Sequence, residues 1–151
     1  MFKSILVAVG GPDASLEPAR VGARLAAQTG ARLTLVSIHK APSTALGEPA
    51  YSERLLPRLA EAQATLEEAR QLVISEGVAE PELESIEGDP AEVIVSLARD
   101  GGHDLVVMGT HRRGRFGVAL LGSVSNAVAA RSGRPVMVVP HPAGDRATDA
   151  G

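Results

Sequence analysis

Ile-Leu-Val-Ala-Val occupies residues 5–9 and is followed at once by Gly10-Gly11-Pro12. A short, unbroken apolar run that ends in turn residues is typical of a strand buried on both faces. Leu-Val-Val-Met at residues 105–108, with Gly109 directly after it, repeats this pattern. Two such strands predict an α/β fold, in which a parallel sheet is covered by helices on both faces.

Three more strands are predicted, at residues 33–38, 82–87 and 135–139, and they alternate with helices. The strand at residues 82–87 is polar, as is usual at the edge of a sheet. Right-handed crossovers restrict the possible strand orders. A doubly wound five-stranded parallel sheet in the order 3-2-1-4-5 puts this polar strand at an edge and the first and fourth strands side by side. Ligands bind at the carboxyl ends of two such neighbouring strands.

Four helices are predicted from apolar residues that recur every three or four positions. Ser15 is expected to cap the first helix, which ends at Gly30, and the second helix covers residues 55–77. Asp89 is the expected cap of the third helix, and Ser123 of the fourth. The segment between the second strand and the second helix is expected to be a mobile connection.

The composition is that of a globular protein and excludes several function classes. The chain has 151 residues, no cysteine and a formal net charge of −3. Disulfides, thiol catalysis and cysteine-based metal sites are therefore excluded, and a basic nucleic-acid-binding face is not expected. Only 2% of the residues are aromatic, which also argues against stacking on single-stranded nucleic acid.

One domain without a membrane segment is expected. The longest apolar runs have about five residues, whereas a membrane-spanning helix needs roughly 20. The N-terminus has no signal-peptide layout, so a cytoplasmic location is expected. Residues 2–140 are predicted to form the α/β domain, and the small, polar residues 141–151 are predicted to be a disordered tail.

The segment after the fourth strand, residues 109–123, combines four glycines with three arginines. Glycines allow a backbone to approach a ligand closely, and Gly122-Ser123 opens a helix whose free N–H groups form an anion site. Arginine side chains such as that of Arg112 hold phosphates well. A site for a small phosphate-bearing ligand is therefore predicted, with a solvated surface loop as the alternative. Neither a Walker loop nor the dinucleotide-binding glycine motif is present.

Several stretches of the sequence carry a resemblance to a known family. They are Ile-Leu-Val-Ala-Val at the first strand, Gly-Ala-Arg-Leu-Thr-Leu-Val at residues 30–36, Asp-Leu-Val-Val-Met-Gly-Thr-His at residues 104–111, Gly-Ser-Val-Ser-Asn-Ala-Val at residues 122–128 and Arg-Pro-Val-Met-Val-Val-Pro at residues 134–140. In this order they resemble the universal stress proteins. The resemblance covers residues 2–140 and implies the same α/β fold.

One branch of that family binds ATP through a glycine, two residues, a second glycine, nine residues, and Gly-Ser or Gly-Thr. Gly109 matches the first glycine, and Gly122-Ser123 match the end at the same spacing. Arg112 replaces the middle glycine, and Gly10 stands where the family usually has an aspartate. Arg112 would either strain the backbone or donate charge-assisted hydrogen bonds to phosphate.

By this resemblance the ligand is ATP or another adenine nucleotide, with or without Mg²⁺. Adenine would lie against Ile38 and Met108, which suits a chain with few aromatic residues. The implied ligand-contacting positions are Gly10, Ile38, Met108, Gly109, Arg112, Gly122, Ser123 and Val124.

The apolar sequence of the last predicted strand indicates that the chain forms a homodimer. Residues Val136 to Val139 are all apolar, and the predicted strand order leaves them at an edge of the sheet. An exposed apolar edge invites pairing, and antiparallel pairing with a second copy gives twofold symmetry. Universal stress proteins commonly dimerise through this strand. The alternative is that the C-terminal tail covers the edge.

The leading hypothesis is a dimeric stress-response protein that binds an adenine nucleotide as a signal and is not an enzyme. A dimeric interaction protein of the same fold with an empty pocket is the main alternative, favoured by Gly10 and Arg112. Slow ATP hydrolysis is a third hypothesis, but the sequence offers no convincing general base. The four histidines lie on separate elements and do not predict a metal site. The scarcity of aromatic residues argues against the hypothesis of a flavin carrier.

Overall fold

Strands and helices alternate along the chain. The structure, a computed structural model, describes residues 1–11, 13–113, 118–120 and 122–140, and for residues 111–113 and 118–120 it describes the backbone alone. The strands are β1 (Ser4–Val9), β2 (Arg32–His39), β3 (Glu82–Glu87), β4 (Leu105–Gly109), β5 (His111–Arg113), β6 (Val118–Leu120) and β7 (Val136–Val139). The helices are α1 (Glu17–Thr29), α2 (Ala50–Ser75), α3 (Pro90–Asp100) and α4 (Ser123–Arg131), with a 3₁₀ helix at Thr44–Leu46.

Five parallel strands form the main sheet in the order β3-β2-β1-β4-β7. Because β7 is the fifth of these strands along the chain, the predicted order 3-2-1-4-5 is confirmed. In the register of the sheet, Ile5 on the central strand lies between Leu33 on β2 and Leu105 on β4. The first and fourth strands are therefore neighbours, as predicted.

The side chains of the central strands alternate between two apolar clusters, because successive residues of a strand point to opposite faces. Ile5 and Val7 pack with residues of α1 and α2, including Ala23 and Leu66. Leu6 packs with residues of α3 and α4 on the other face. Helices on both faces are thus confirmed, which explains the unbroken apolar run of β1. None of the helices in the described residues is long and apolar enough to cross a membrane.

The ends of two helices test the predicted capping residues. Asp89 caps α3 as predicted, since its Oδ2 accepts a hydrogen bond of 3.2 Å from the backbone N–H of Glu92. Gly30 ends α1 with a φ of 74°, a left-handed conformation that favours glycine. The prediction for Ser15 is wrong by one position, because it precedes the N-cap residue. Its Oγ nevertheless accepts a hydrogen bond of 3.0 Å from the N–H of Glu17.

Two regions differ from the sequence interpretation. The connection predicted before residue 55 contains the 3₁₀ helix and the first turn of α2, which begins at Ala50. Residues 50–54 bury no side chain and carry no apolar repeat, so a sequence pattern does not reveal this first turn. The segment predicted as a loop contains β5 and β6, which pair antiparallel with Arg112 opposite Ala119. The predicted disorder of residues 141–151 lies outside the described residues.

A polar cluster that is buried at Ser4 and His103 joins the N-terminal ends of the main strands. Ser4 Oγ lies 2.9 Å from His103 Nδ1 and accepts a hydrogen bond of 3.2 Å from Arg32 Nη2. Arg32 also forms an ion pair with Glu82, with an N–O distance of 3.6 Å. Ser4 and His103 are 3% and 6% exposed. The cluster thus ties the segment before β4 to the starts of β1, β2 and β3.

The protein is expected to lose stability in mild acid through His103. Burial lowers the pKa of His103 below its ordinary value of 6.5, and Arg32 lowers it further, although Glu84, Glu82 and Asp104 oppose the shift. The unfolded chain then binds a proton more readily than the folded chain does. This contribution to stability is fully present above pH 6.5 and is lost as the pH falls through the lowered folded-state pKa. Urea unfolding between pH 8 and pH 5 measures this slope.

The matched variant for this prediction is His103→Gln. Glutamine keeps a polar side chain of similar reach but cannot titrate, so the free energy of unfolding should depend less on pH in this window. A slope identical to that of the unmodified protein would assign the acid sensitivity to other groups.

Candidate ligand-binding site

A cavity of about 440 Å³ opens at the carboxyl ends of the strands. Its floor comes from the ends of β1 and β4, where the chain leaves the sheet in opposite directions, and its walls include the N-terminal ends of α1, α3 and α4. This volume lies in the range of small-molecule sites, roughly 300–1,000 Å³. The cavity therefore lies at the position that the strand order favours for a ligand.

Seven of the eight ligand-contacting positions inferred from the sequence line this cavity. They are far apart in the chain but are brought together by the parallel sheet: Gly10, Ile38, Met108, Gly109, Gly122, Ser123 and Val124. For the eighth, Arg112, the structure places the backbone in β5, opposite Ala119. The side chain of Arg112 lies outside what the structure describes.

The lining is apolar and hydroxyl-rich. Sequence reasoning missed several of its members, which are Ala14, Ser15, Pro18, Ser37, Pro90, Ile94, Thr110, Ser125 and Val139. Ser37 and Thr110 are adjacent to residues that were identified. Ala14 and Ser15 come from the loop after β1 and Val139 from the end of β7, and the rest lie on α1, α3 and α4. All of the described lining residues have uncharged side chains. The cavity therefore suits a ligand with an apolar, planar or aliphatic part and a few hydrogen-bonding groups.

Among the described residues, no side chain caps the N-terminus of α4 at the cavity. Gly122, which has no side chain, is the N-cap residue, with a φ of −76° and a ψ of 172°. Ser123 is the first helical residue, so the prediction that it caps the helix is wrong. The first backbone bond within the helix runs from the N–H of Asn126 to the carbonyl of Gly122. The N–H groups of residues 123–125 therefore retain their capacity to bind an anion.

The N-terminus of α3 provides a contrast within the same cavity wall. There the carboxylate of Asp89 accepts a hydrogen bond from the first turn. A negative charge is thus already supplied to α3 by the chain, whereas α4 presents its partial positive charge without one. Of these two helix ends, α4 is the one able to accept a negatively charged group.

Two glycines of the cavity sit where larger residues would collide. A Cβ atom on Gly109 would lie 3.3 Å from Pro18 Cγ, and a Cβ atom on Gly10 would lie 2.5 Å from Ala14 Cβ. Gly109 therefore lets the end of β4 approach α1, and Gly10 lets the loop after β1 fold back on itself. This packing gives a physical role to the first glycine of the sequence motif.

Thr110 contributes a buried hydroxyl with no partner among the described residues. Its backbone N–H donates to the carbonyl of Val139 at 3.0 Å, which fixes the residue at the end of β4. A buried hydroxyl that lacks a hydrogen bond costs about 1–3 kcal/mol. Such groups commonly serve a ligand or a water molecule.

We expect Thr110→Val to raise the free energy of unfolding by about 1 kcal/mol. Valine has nearly the same shape and lacks the hydroxyl that is left without a partner. Urea unfolding measures the change, with Thr110→Ser as the control because serine keeps the hydroxyl and should give no gain. A loss of stability in Thr110→Val would show that the hydroxyl is hydrogen-bonded in the ligand-free protein.

The described residues do not fit a metal ion held by the protein. No group of three or more histidine, aspartate or glutamate side chains within them is placed to bind a metal. Mg²⁺ prefers carboxylate and water oxygens in an octahedral arrangement, and no carboxylate lies among the described residues of the cavity. Mg²⁺ would therefore reach this site only as a companion of a ligand.

Comparison with known proteins places the chain in a family. The profile of the universal stress protein family matches residues 1–140. The universal stress protein in the QAH/OAS sulfhydrylase 3′ region of Thermus aquaticus is 38% identical over 139 residues, which are 92% of this chain and 99% of that protein. Universal stress protein MJ0531 of Methanocaldococcus jannaschii is 32% identical over 145 residues, which cover 94% of this chain and 84% of that protein.

Solved structures agree with this family and with the observed fold. A universal stress protein in complex with cAMP superposes with a TM-score of 0.70 and 27% identity, covering 92% of this chain and 97% of that one. The protein MJ0577 superposes with a TM-score of 0.73 and 25% identity, covering 94% of this chain and 98% of that one. From its sequence profile, its relatives and its sheet, the chain belongs to the universal stress protein family.

Proposed function

We propose that the chain binds an adenine nucleotide in the cavity between β1 and β4 and acts as a stress-response protein for which the nucleotide is a signal. The observation that carries the proposal is the uncapped N-terminus of α4, which opens into a cavity otherwise lined by uncharged side chains. Such a helix end binds phosphate through its N–H groups and its dipole. The cAMP complex of a similar protein supports an adenine nucleotide as the class of ligand.

The proposed pose follows from the chemistry of the two ends of the cavity. Ile38 and Met108 supply aliphatic surface on the α3–α4 side of the sheet, and both belong to or pack against the apolar cluster there. An adenine ring packs well on such surface when aromatic residues are absent. The phosphates would then lie at Gly122, Ser123 and Val124, where the first N–H groups of α4 have no partner among the described residues.

The proposal does not include hydrolysis. A hydrolase needs a general base to activate water, and the described lining contains neither histidine nor a carboxylate. The nucleotide is therefore proposed to act as a signal when it is bound, without being hydrolysed.

A homodimer through β7 is also proposed. Among the described strands β7 pairs with β4 alone, so its outer edge is free to pair with another strand. Met137 is 37% exposed on this strand. An antiparallel contact with β7 of a second copy would cover both the free backbone groups and this side chain. Sedimentation velocity of the purified protein distinguishes a dimer from a monomer.

The second candidate function is an interaction protein whose pocket stays empty. Gly10 favours it, because the close approach of Ala14 leaves no room there for the carboxylate of a larger residue. The two functions differ in one property that is easily measured, which is affinity for a nucleotide.

Isothermal titration with ATP and AMP, with and without Mg²⁺, tests the proposal after any co-purified nucleotide has been identified. We expect micromolar binding that Gly122→Val abolishes, because the added side chain stands at the N-terminus of α4. Ala60→Val is the control, since Ala60 is an exposed residue of α2 away from the cavity. Absence of binding and of co-purified nucleotide would favour the empty-pocket function.

A further inference from the structure

The residue directly after β1 has no room for a side chain. A Cβ atom on Gly10 would lie 2.5 Å from Ala14 Cβ and 4.0 Å from Ala14 Cα. Real Cβ atoms do not approach other heavy atoms to 2.5 Å, so a larger residue at position 10 requires the loop to move. At the next position, Gly11, a Cβ atom would meet nothing within 4 Å. The obstruction is therefore specific to Gly10 and comes from one methyl group.

Hydrogen bonds on both sides of Ala14 hold the loop that carries this methyl group in position. The N–H of Ala14 donates to the carbonyl of Gly11 at 3.0 Å, which closes a turn. Ser15 Oγ accepts a hydrogen bond of 3.0 Å from the N–H of Glu17 at the start of α1. Moving Ala14 away from Gly10 would disturb both bonds. The methyl group of Ala14 therefore has a fixed position in the cavity wall. It occupies the space that a side chain at position 10 would need.

The loop after β1 lies where a sugar would sit. β1 is placed between β2, which carries Ile38, and β4, which leads to the phosphate-binding end at α4. A nucleotide that spans from Ile38 to the N-terminus of α4 therefore passes its sugar over the loop of Gly10 and Ala14. This step rests on the nucleotide pose of the proposed function.

Recognition of a sugar commonly uses a carboxylate in the wall of the site. Dinucleotide-binding proteins hold the ribose hydroxyl with the carboxylate of an aspartate or glutamate. At the corresponding part of this cavity the wall consists of Gly10, Ala14 and Pro18. Ser15 offers a hydroxyl there, which accepts the N–H of Glu17 and keeps its own O–H for at most a hydrogen bond between neutral groups.

We propose that the contact between Gly10 and Ala14 makes the site insensitive to the sugar hydroxyls. The site then takes adenine ribonucleotides and adenine deoxyribonucleotides with similar affinity, because the sugar meets a methyl group where a carboxylate would otherwise bind it. Base stacking and the phosphate contacts at α4 supply the affinity for both.

Titrations of the full chain with ATP, 2′-deoxy-ATP and 3′-deoxy-ATP test this inference. We expect dissociation constants that agree within about fivefold, the size of one hydrogen bond between neutral groups. A double variant, Gly10→Asp with Ala14→Gly, removes the methyl group and supplies a carboxylate. It should bind ATP about tenfold more tightly than either deoxynucleotide, as expected for one hydrogen bond to a charged group.

Two further variants separate the steric argument from the electrostatic one. Gly10→Asp alone should melt at a lower temperature than the double variant, because Ala14 still blocks position 10. Gly11→Asp places the same charge at the neighbouring unobstructed position and should leave the ratio of affinities unchanged.

The possible outcomes distinguish this inference from the proposed function. Tight binding of ATP with at least tenfold weaker binding of a deoxynucleotide by the unmodified protein would overturn sugar insensitivity and leave nucleotide binding intact. No binding of any of the three nucleotides would overturn both. Equal melting temperatures for Gly10→Asp and the double variant would overturn the blocking role of Ala14.

Discussion

Replacing Leu35 with alanine is expected to lower the free energy of unfolding by about 2–5 kcal/mol, the usual cost of truncating a fully buried leucine. Leu35 is 0% exposed and packs in the apolar cluster that β1 and β2 form with α1 and α2. It lies beside Val7 on the central strand, which is also fully buried. The cavity left by the substitution would sit among close-packed side chains that cannot relax to fill it.

Leu83→Ala is the matched control for this prediction. Leu83 lies opposite Leu35 in the register of β2 and β3, so both side chains point to the same face of the sheet. Leu83 is 40% exposed because β3 is an edge strand, and its truncation should cost about 1 kcal/mol or less. Urea unfolding followed by circular dichroism measures both variants. Equal losses would mean that the edge of the sheet is as tightly packed as its centre.

The strand order was predictable because burial leaves a pattern in the sequence. β1 and β4 are covered by helices on both faces, so each reads as a continuous apolar run that ends in glycine. β3 is exposed on its outer edge and reads as polar. These differences among the strands, together with the handedness of crossovers, leave one arrangement that satisfies all of them.

The parts that escaped prediction lack such a pattern. The first turns of α2 bury no side chain, so nothing in residues 50–54 repeats at helical spacing. β5 and β6 have three residues each and pair only with one another. A sequence pattern reports how a segment faces the core, and three residues are too few to show such a pattern.

The candidate site was predicted in outline from spacing and resemblance. The motif glycines and Ser123 lie at the cavity because parallel strands bring their carboxyl ends to one edge. The contact between Gly10 and Ala14 was not predictable, because it depends on how the turn after β1 folds back on itself. The unpartnered hydroxyl of Thr110 is likewise a property of the packed structure.

Ser123→Pro is expected to weaken ATP binding by about 10- to 100-fold while leaving the fold intact. Proline is well tolerated at the first position of a helix, which Ser123 occupies in α4. Gly122 already has the extended conformation that a residue before proline prefers, with a ψ of 172°. The substitution removes one backbone N–H from the proposed phosphate site, and a hydrogen bond to a charged group contributes about 1.5–3 kcal/mol.

The comparison with Ser123→Ala identifies the group responsible. Alanine removes the hydroxyl but keeps the N–H, so its affinity should lie closer to that of the unmodified protein than to that of Ser123→Pro. Titration calorimetry gives the affinities, and thermal unfolding checks that α4 is retained. If alanine weakens binding as much as proline does, the side chain of Ser123 and not the helix N-terminus holds the phosphate. If neither substitution changes the affinity, the phosphates do not lie at α4, and the pose built on its uncapped N-terminus is wrong.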